Sequence, residues 1–241
     1  MDPTYTRSLT ILPSMLDMGG RLSVPETFAL FMDTAFLAAE ELGLGMIPLM
    51  RRNLFWITVR TRARFLRRPG LMEAVQIDTW PEAPRELRCD RHYLLRAGDT
   101  PLILGRTEWA VVDMGSGQPR PIPPLMPEGV TWRQDAAIPE PFSRIDDAFE
   151  GPACGTRTVL NTDVDMARHM NNVAYIRAIA DLFSARQWKE MDLKGFEIVF
   201  MHSAREGETL RFRKRQGEGG ILDIKGDLPD GRCAVLARME I

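Results

Sequence analysis

Between Thr162 and Asn172 the chain reads TDVDMARHMNN, which sets two acids, one histidine and two asparagines close together. Histidine has an ordinary pKa of about 6.5, so it can take up and release a proton at neutral pH. Asp165 stands four residues before His169, near enough for the two to share one pocket. Such a pair can activate water against a carbonyl. A simpler reading competes with this one. Asn and Asp are preferred N-cap residues, because a side-chain oxygen accepts a free N–H of the first helical turn. The apolar-periodic run VAYIRAIADLF follows at once, so Asn171 or Asn172 would cap a helix running to about Trp188. Asp163 and Asp165 would then be loop acids near its positive end. Capping leaves His169 unexplained, and the only other histidines are His92 and His202.

The bulk numbers narrow the classes. A chain of 241 residues with 44% hydrophobic residues can bury a full core, as one large domain or two ordinary ones. A formal net charge of −2 without a charged block does not mark a nucleic-acid binder. No apolar run is long enough to span a bilayer, and the opening MDPTYTRSLT lacks the basic and apolar regions of a signal peptide. The three cysteines, Cys89, Cys154 and Cys233, are widely spaced and odd in number. That fits neither a disulfide framework nor a metal site, so the expectation is a cytoplasmic protein with no metal and no redox cofactor.

The elements that must hold the motif come in two sets. Seven prolines between Gln118 and Pro141 resist regular structure and read as a semi-rigid connector. Before them the order is YTRSLTIL, a turn DMGGRL, then SVPETFALFMDTAFLAAEELGLG, a helix by pattern. Ser23 caps it, Glu26 completes a capping box, Pro25 suits the first turn and Gly43 ends it. After them the order repeats as GTRTVLNT, DMARHM and NNVAYIRAIADLFSARQW. Asp17 falls on Asp165, Met18 on Met166, Leu22 on Met170 and Ser23 on Asn171. Several strands follow the helix in each half. One of them alternates Ile57, Val59, Thr61, Ala63 and Phe65 against Trp56, Thr58, Arg60, Arg62 and Arg64. A long helix with a curved antiparallel sheet wrapped on it buries both apolar faces. The expected class is therefore α+β with two such halves: residues 1–130, a Pro-rich linker end at 131–150, and 151–241 carrying the motif.

The segment DVDMARHMNNVAYI resembles the signature of the acyl-ACP thioesterases, a D-x-D-x-N-x-H-V-N-N-x-x-Y-I pattern at the start of the second hotdog helix. RLSVPETFALFMDTAFLAAEELGLG, FWITVRTRARFLRRPGLMEAVQIDTWP and RTEWAVVDMGSGQPRPIP are similar to that family's first hotdog. The resemblance covers most of the chain. It implies a tandem (double) hotdog and hydrolysis of fatty acyl-ACP to free fatty acid and ACP, a step of fatty acid biosynthesis and lipid metabolism, with acyl carrier protein as acyl donor. There are two departures. Ala167 stands where the family has Asn, and Ser203 and Ala204 fall where it has Glu and often Cys, if Gly207 matches the family's glycine.

Without a cysteine at the family position, water is the expected nucleophile. His169 acts as its general base, and the resemblance makes Asp165 a second catalytic candidate. Asn171, Asn172 and Ser203 would support the thioester oxygen, helped by N–H groups at the helix start. The first half carries Arg21 where the second has His169, so one active site per chain is expected, with the first half shaping the acyl tunnel. Arg60, Arg62 and Arg64 on one strand, and Arg211 and Arg213 on another, lie on one sheet side by period two. They read either as a solvated outer face or as a docking stripe for an acidic carrier. Two other functions compete, an acyl-CoA thioesterase and a non-catalytic acyl-binding protein. A monomer and a homodimer of double hotdogs both fit the pattern.

Overall fold

The computed structural model of the protein describes residues 2–241. The first half runs β1 (Tyr5–Thr10), α1 (Val24–Glu41), α2 (Met46–Met50), β2 (Leu54–Phe65), β3 (Ala74–Pro81), β4 (Cys89–Ala97), β5 (Thr100–Asp113) and the two-residue β6 (Pro119–Arg120). The second runs β7 (Ala153–Thr158), α3 (Asn172–Ala180), α4 (Ala185–Glu190), β8 (Gly195–Phe200), β9 (Thr209–Gln216), β10 (Ile221–Asp227) and β11 (Cys233–Glu240).

The register of the repeat holds atom by atom in the turn before each long helix. Asp17 Oδ1 accepts the N–H groups of Gly19 (2.8 Å) and Arg21 (3.2 Å). Asp165 Oδ1 accepts those of Ala167 (2.8 Å) and His169 (3.4 Å). Gly20 and Arg168 take the same left-handed backbone, with φ of 72° and 61°. Ser23 then caps α1 through the Glu26 N–H, as Asn171 caps α3 through the Ala174 N–H. Each turn thus feeds its helix from the same geometry, and His169 sits where the first half has Arg21.

Two helical expectations change. Glu26 does not close a capping box on Ser23. Its carboxylate instead pairs with Arg177 of α3 at 3.0 Å, tying the two helices together. The second helix does not run unbroken to Trp188. It stops at Ala180 and restarts at Ala185 because Ser184 makes its own capping box, exchanging bonds with Gln187. The Trp188 indole then donates to the Ala180 carbonyl at 2.8 Å, satisfying the end of α3.

All strands join one antiparallel sheet in the order β1-β3-β4-β5-β2-β8-β11-β10-β9-β7, with β6 on β5. The order is symmetric about the β2–β8 seam, where Arg60 faces Val199 and Arg64 faces Gly195. The concave side wraps α1 and α3. Phe31 of α1 stacks on Tyr93 of β4 at 4.5 Å, and Phe28 meets Phe196 of β8 edge-on at 5.5 Å, so α1 packs against both halves. Gly105 makes the first contact feasible, since a Cβ there would lie 2.4 Å from the Phe31 ring. Each half is a helix wrapped by a curved sheet, long in the first half and broken in the second, and the whole is a double hotdog of α+β class. The alternation expected along β2 is broken by a bulge between Thr58 and Arg60, which turns Trp56 and Thr58 to the concave side.

The convex side is not the open cationic face that period two suggested. Residues 131–150 hold no helix or strand, and part of this segment runs across the arginines. Phe142 lies under Arg60, 4.4 Å from guanidinium carbon to ring centre. Arg60 forks onto Glu108 (3.1 and 3.2 Å) and Arg64 pairs with Glu140 (3.1 Å). Arg62 is buried and bonded to Glu197 and Ser143. Each of the three is thus paired with a carboxylate of the fold; Arg62 is buried, and Arg60 and Arg64 stay partly exposed. Arg213 pairs with Glu150. Arg211 is exposed and has no ion-pair partner among the described residues.

Candidate active site

A cavity of about 640 Å³ opens on the concave side between α1 and the sheet. Asp165, His169, Asn171, Asn172 and Ser203 from the second half all line it. So do Met32, Ala35 and Phe36 of α1 and Trp56 and Ile57 of β2, which make much of the wall apolar. The predicted site residues are therefore brought together, and the same cavity continues into the first half.

His169 is half-buried, and its ring has no hydrogen-bond partner among the described residues. It is held from behind. The His169 carbonyl accepts the Asp165 N–H at 2.9 Å, and the next residue, Met170, donates its N–H to the Ala204 carbonyl at 2.8 Å. Asp165 does not bond the imidazole. One carboxylate oxygen fixes the turn through the Ala167 and His169 amides, and the other has no hydrogen-bond partner among the described residues. The carboxylate thus sets where the His169 backbone lies and presents negative charge beside the cavity.

The two asparagines divide their tasks. Asn171 is committed to the fold at both ends of its amide, accepting from the Ala174 N–H and donating to the Asp163 carbonyl at 2.8 Å. Asn172 is the first residue of α3, and its side chain has no hydrogen-bond partner among the described residues. The backbone N–H groups of Asn172 and Val173 also lack partners among the described residues, and both residues line the cavity. They are the free donors that every helix start leaves, at the positive end of the helix dipole. Asp163 is a structural acid. It is buried, and Arg157 grips it with bonds of 2.8 and 3.0 Å.

Ser203 is exposed at the cavity wall in the loop after β8, and its hydroxyl has no hydrogen-bond partner among the described residues. His202 beside it turns its Nδ1 to the Cys233 carbonyl at 2.8 Å. The residue that fixes this loop is Tyr175, which stood in the quoted motif but was assigned no role. Its hydroxyl accepts the Ala204 N–H at 2.8 Å and donates to the His202 carbonyl at 3.4 Å. Burial pushes that hydroxyl up to about 12, so it stays neutral. The sequence signal was its spacing, since Tyr175 lies one helical turn beyond Asn171 on the buried face.

The cysteines are ill placed for attack. Burial pushes the Cys89 thiol up to about 12 and Cys233 up to about 11, and it raises Cys154 as well. A thiol, rather than a thiolate, is a poor nucleophile.

The chain is similar to known proteins in sequence and in fold. Residues 2–128 match the acyl-ACP thioesterase N-terminal domain, and residues 155–229 match the acyl-ACP thioesterase C-terminal domain. The chain is 24% identical over 195 residues to the chloroplastic oleoyl-acyl carrier protein thioesterase of Coriandrum sativum, covering 75% of this chain and 49% of that protein. It is 28% identical over 189 residues to the chloroplastic palmitoyl-acyl carrier protein thioesterase of Gossypium hirsutum, covering 75% and 43%. The chain thus spans about half the length of these curated relatives. In three dimensions it matches an acyl-ACP thioesterase from Bacteroides thetaiotaomicron with a TM-score of 0.89 at 20% identity, over 99% of this chain and 97% of that one. It matches the 12:0-ACP thioesterase from Umbellularia californica with a TM-score of 0.83 at 16% identity, over 99% and 96%. The structural matches establish a common fold, and the two domain matches, which together span most of the sequence, make this chain a member of the acyl-ACP thioesterase family.

Proposed function

We propose that the protein hydrolyses fatty acyl-ACP to free fatty acid and ACP. The supporting observation is the single cavity lined both by the His169 turn and by the apolar wall of the first half. In this reading residues 1–130 hold the acyl chain, 131–150 connect, and 151–241 supply the chemistry. The thioester carbonyl lies at the start of α3, its oxygen facing the N–H groups of Asn172 and Val173. His169 takes a proton from water as the water oxygen adds to the carbonyl carbon. The oxyanion that forms is stabilised by those two donors, which are already fixed by the helix and need little reorganisation. The C–S bond then breaks, and the leaving thiolate takes the proton back from His169. Asp165 keeps the His169 backbone in place, and its carboxylate borders the same cavity. Asn172 and Ser203 border the same space as polar side chains with free groups, whereas Asn171 acts through the helix cap.

The acyl donor in this reading is acyl carrier protein, and the reaction belongs to fatty acid biosynthesis. The compartment is reducing and cytoplasmic, as three free cysteines favour. No helix among the described residues is long and apolar enough to cross a membrane.

The test is thiol release from acyl-ACPs of varied chain length by the wild type and by His169→Ala. The wild type is expected to turn over at least one chain, and the variant to fall by about 100-fold or more. Equal rates in the two proteins would remove His169 as the base. Absence of turnover on every acyl-ACP, together with turnover on the same acyl groups carried by CoA, would move the assignment to an acyl-CoA thioesterase. Absence of turnover on both, with saturable acyl binding, would make the protein an acyl binder. A site with Ser203 where a Glu was expected gives that last outcome a concrete basis.

A further inference from the structure

Arg91 of β4 lines the same cavity and has no part in the chemistry above. It is only 8% exposed. Its guanidinium makes one hydrogen bond, from Nη1 to the Thr79 hydroxyl at 3.3 Å, although the group has five N–H donors. No carboxylate faces it. Asp90 points to the opposite side of the strand, where Arg106 and Arg85 hold it. The flanking Cys89 and Tyr93 supply no charge, since burial pushes each up to about 12.

The contrast with the other buried cations is informative. Arg62 has Glu197, Arg68 has Asp17 and Lys225 has Asp227. Among the buried cations of the described residues, Arg91 alone has no acid. Burying a charge without a partner is costly. Thus Arg91 brings a cation and unpaired N–H donors to this part of the wall, and an apolar occupant would leave them unmet.

Its position sets what reaches it. β4 is separated from β8, the strand leading into Ser203, by β5 and β2. Three strand spacings come to about 14 Å. An acyl group whose thioester lies at His169 would approach Arg91 with its far end.

Resting on the thioesterase reading, we infer that the preferred acyl group carries an acceptor oxygen near its far end, a terminal carboxylate or hydroxyl, which Arg91 binds. The test uses non-hydrolysable acyl-pantetheine amides of equal length ending in methyl, hydroxyl or carboxylate, titrated calorimetrically into the full chain. At least one oxygenated ligand is expected to bind about 10-fold or more tighter than the methyl-terminated one. A carboxylate preference would identify a dicarboxylic acyl group, and a hydroxyl preference a hydroxyacyl group. Arg91→Met is expected to reverse the order, and Arg91→Lys to keep part of the carboxylate preference. The methyl-terminated ligand binding the wild type as well as or better than both others would overturn the inference, as would failure of all three to bind. The wild-type comparison does not depend on the variants folding. Because the amides are not cleaved, a missing esterase activity would sink the thioesterase reading without touching this ranking.

Discussion

The Tyr175 hydroxyl of α3 accepts the backbone N–H of Ala204 at 2.8 Å, and so latches the loop that carries Ser203 to the helix that begins beside His169. Ala204 is fully buried, with no other acceptor for that N–H. Tyr175→Phe keeps the ring packing against Phe200 and deletes the latch. The variant should lose about 1–3 kcal/mol of stability, the usual penalty for an unpaired buried donor. Turnover measured well below the melting temperature should fall by about 10-fold with KM little changed. An unchanged kcat would show that the loop is held without Tyr175.

Asp165 has two separable duties, one in the turn and one at the cavity. Asp165→Asn retains an acceptor oxygen for the Ala167 and His169 amides but removes the charge. The melting temperature should stay within about 2 °C of wild type, while turnover drops by about 10-fold or more. Asp165→Ala should lose both. If Asn supports full turnover, the carboxylate is a turn residue and nothing more.

Arg168 and Gly20 occupy equivalent positions of the repeated turn, both at positive φ. A non-glycine residue there is strained by about 1–2 kcal/mol. Arg168→Gly should therefore stabilise the protein by up to about 1 kcal/mol after the entropy of the unfolded glycine is subtracted. Gly20→Ala should destabilise it by about 1 kcal/mol. A Cβ at Gly20 would meet nothing within 4 Å, so backbone strain is its sole local cost. Thermal melts that move in the same direction for both substitutions would contradict this account.

Arg62 and Glu197 join the halves across the β2–β8 seam, and both are buried. Glu197 also accepts the Ser143 N–H of the linker at 2.9 Å. Removing it by Glu197→Ala leaves a buried guanidinium and a backbone donor unpaired, and should cost about 3–5 kcal/mol. Denaturant unfolding would measure it. A loss under about 1 kcal/mol would mean that the seam is held by apolar packing alone.

Much of the site was legible in the sequence because it is built from local rules. The match of Asp17 with Asp165 and Ser23 with Asn171 depends on turn and cap chemistry within a few residues, and both turns form as that chemistry requires. The strands were readable for the same reason, as in β2, where Thr61, Ala63 and Phe65 alternate against Arg60, Arg62 and Arg64. The break in the second helix was written locally too, in Ser184 and Gln187, but the apolar period running through Trp188 masked it.

Tertiary structure decided what covers each face. Period two puts Arg60, Arg62 and Arg64 on one side of a strand, but it cannot say that Phe142, far along the chain, will lie under the first two. Glu26 satisfied the local pattern of a capping box, yet a cation on the other helix offered its carboxylate a stronger partner than a neighbouring amide. Likewise, nothing in the neighbourhood of Arg91 in the sequence distinguishes it from Arg62. One guanidinium is neutralised by an acid from the other half, and the other is left facing a cavity. Sequence fixes the local conformations through interactions a few residues long, whereas the charge balance of each buried group depends on chain segments that meet only when the sheet closes around its helices.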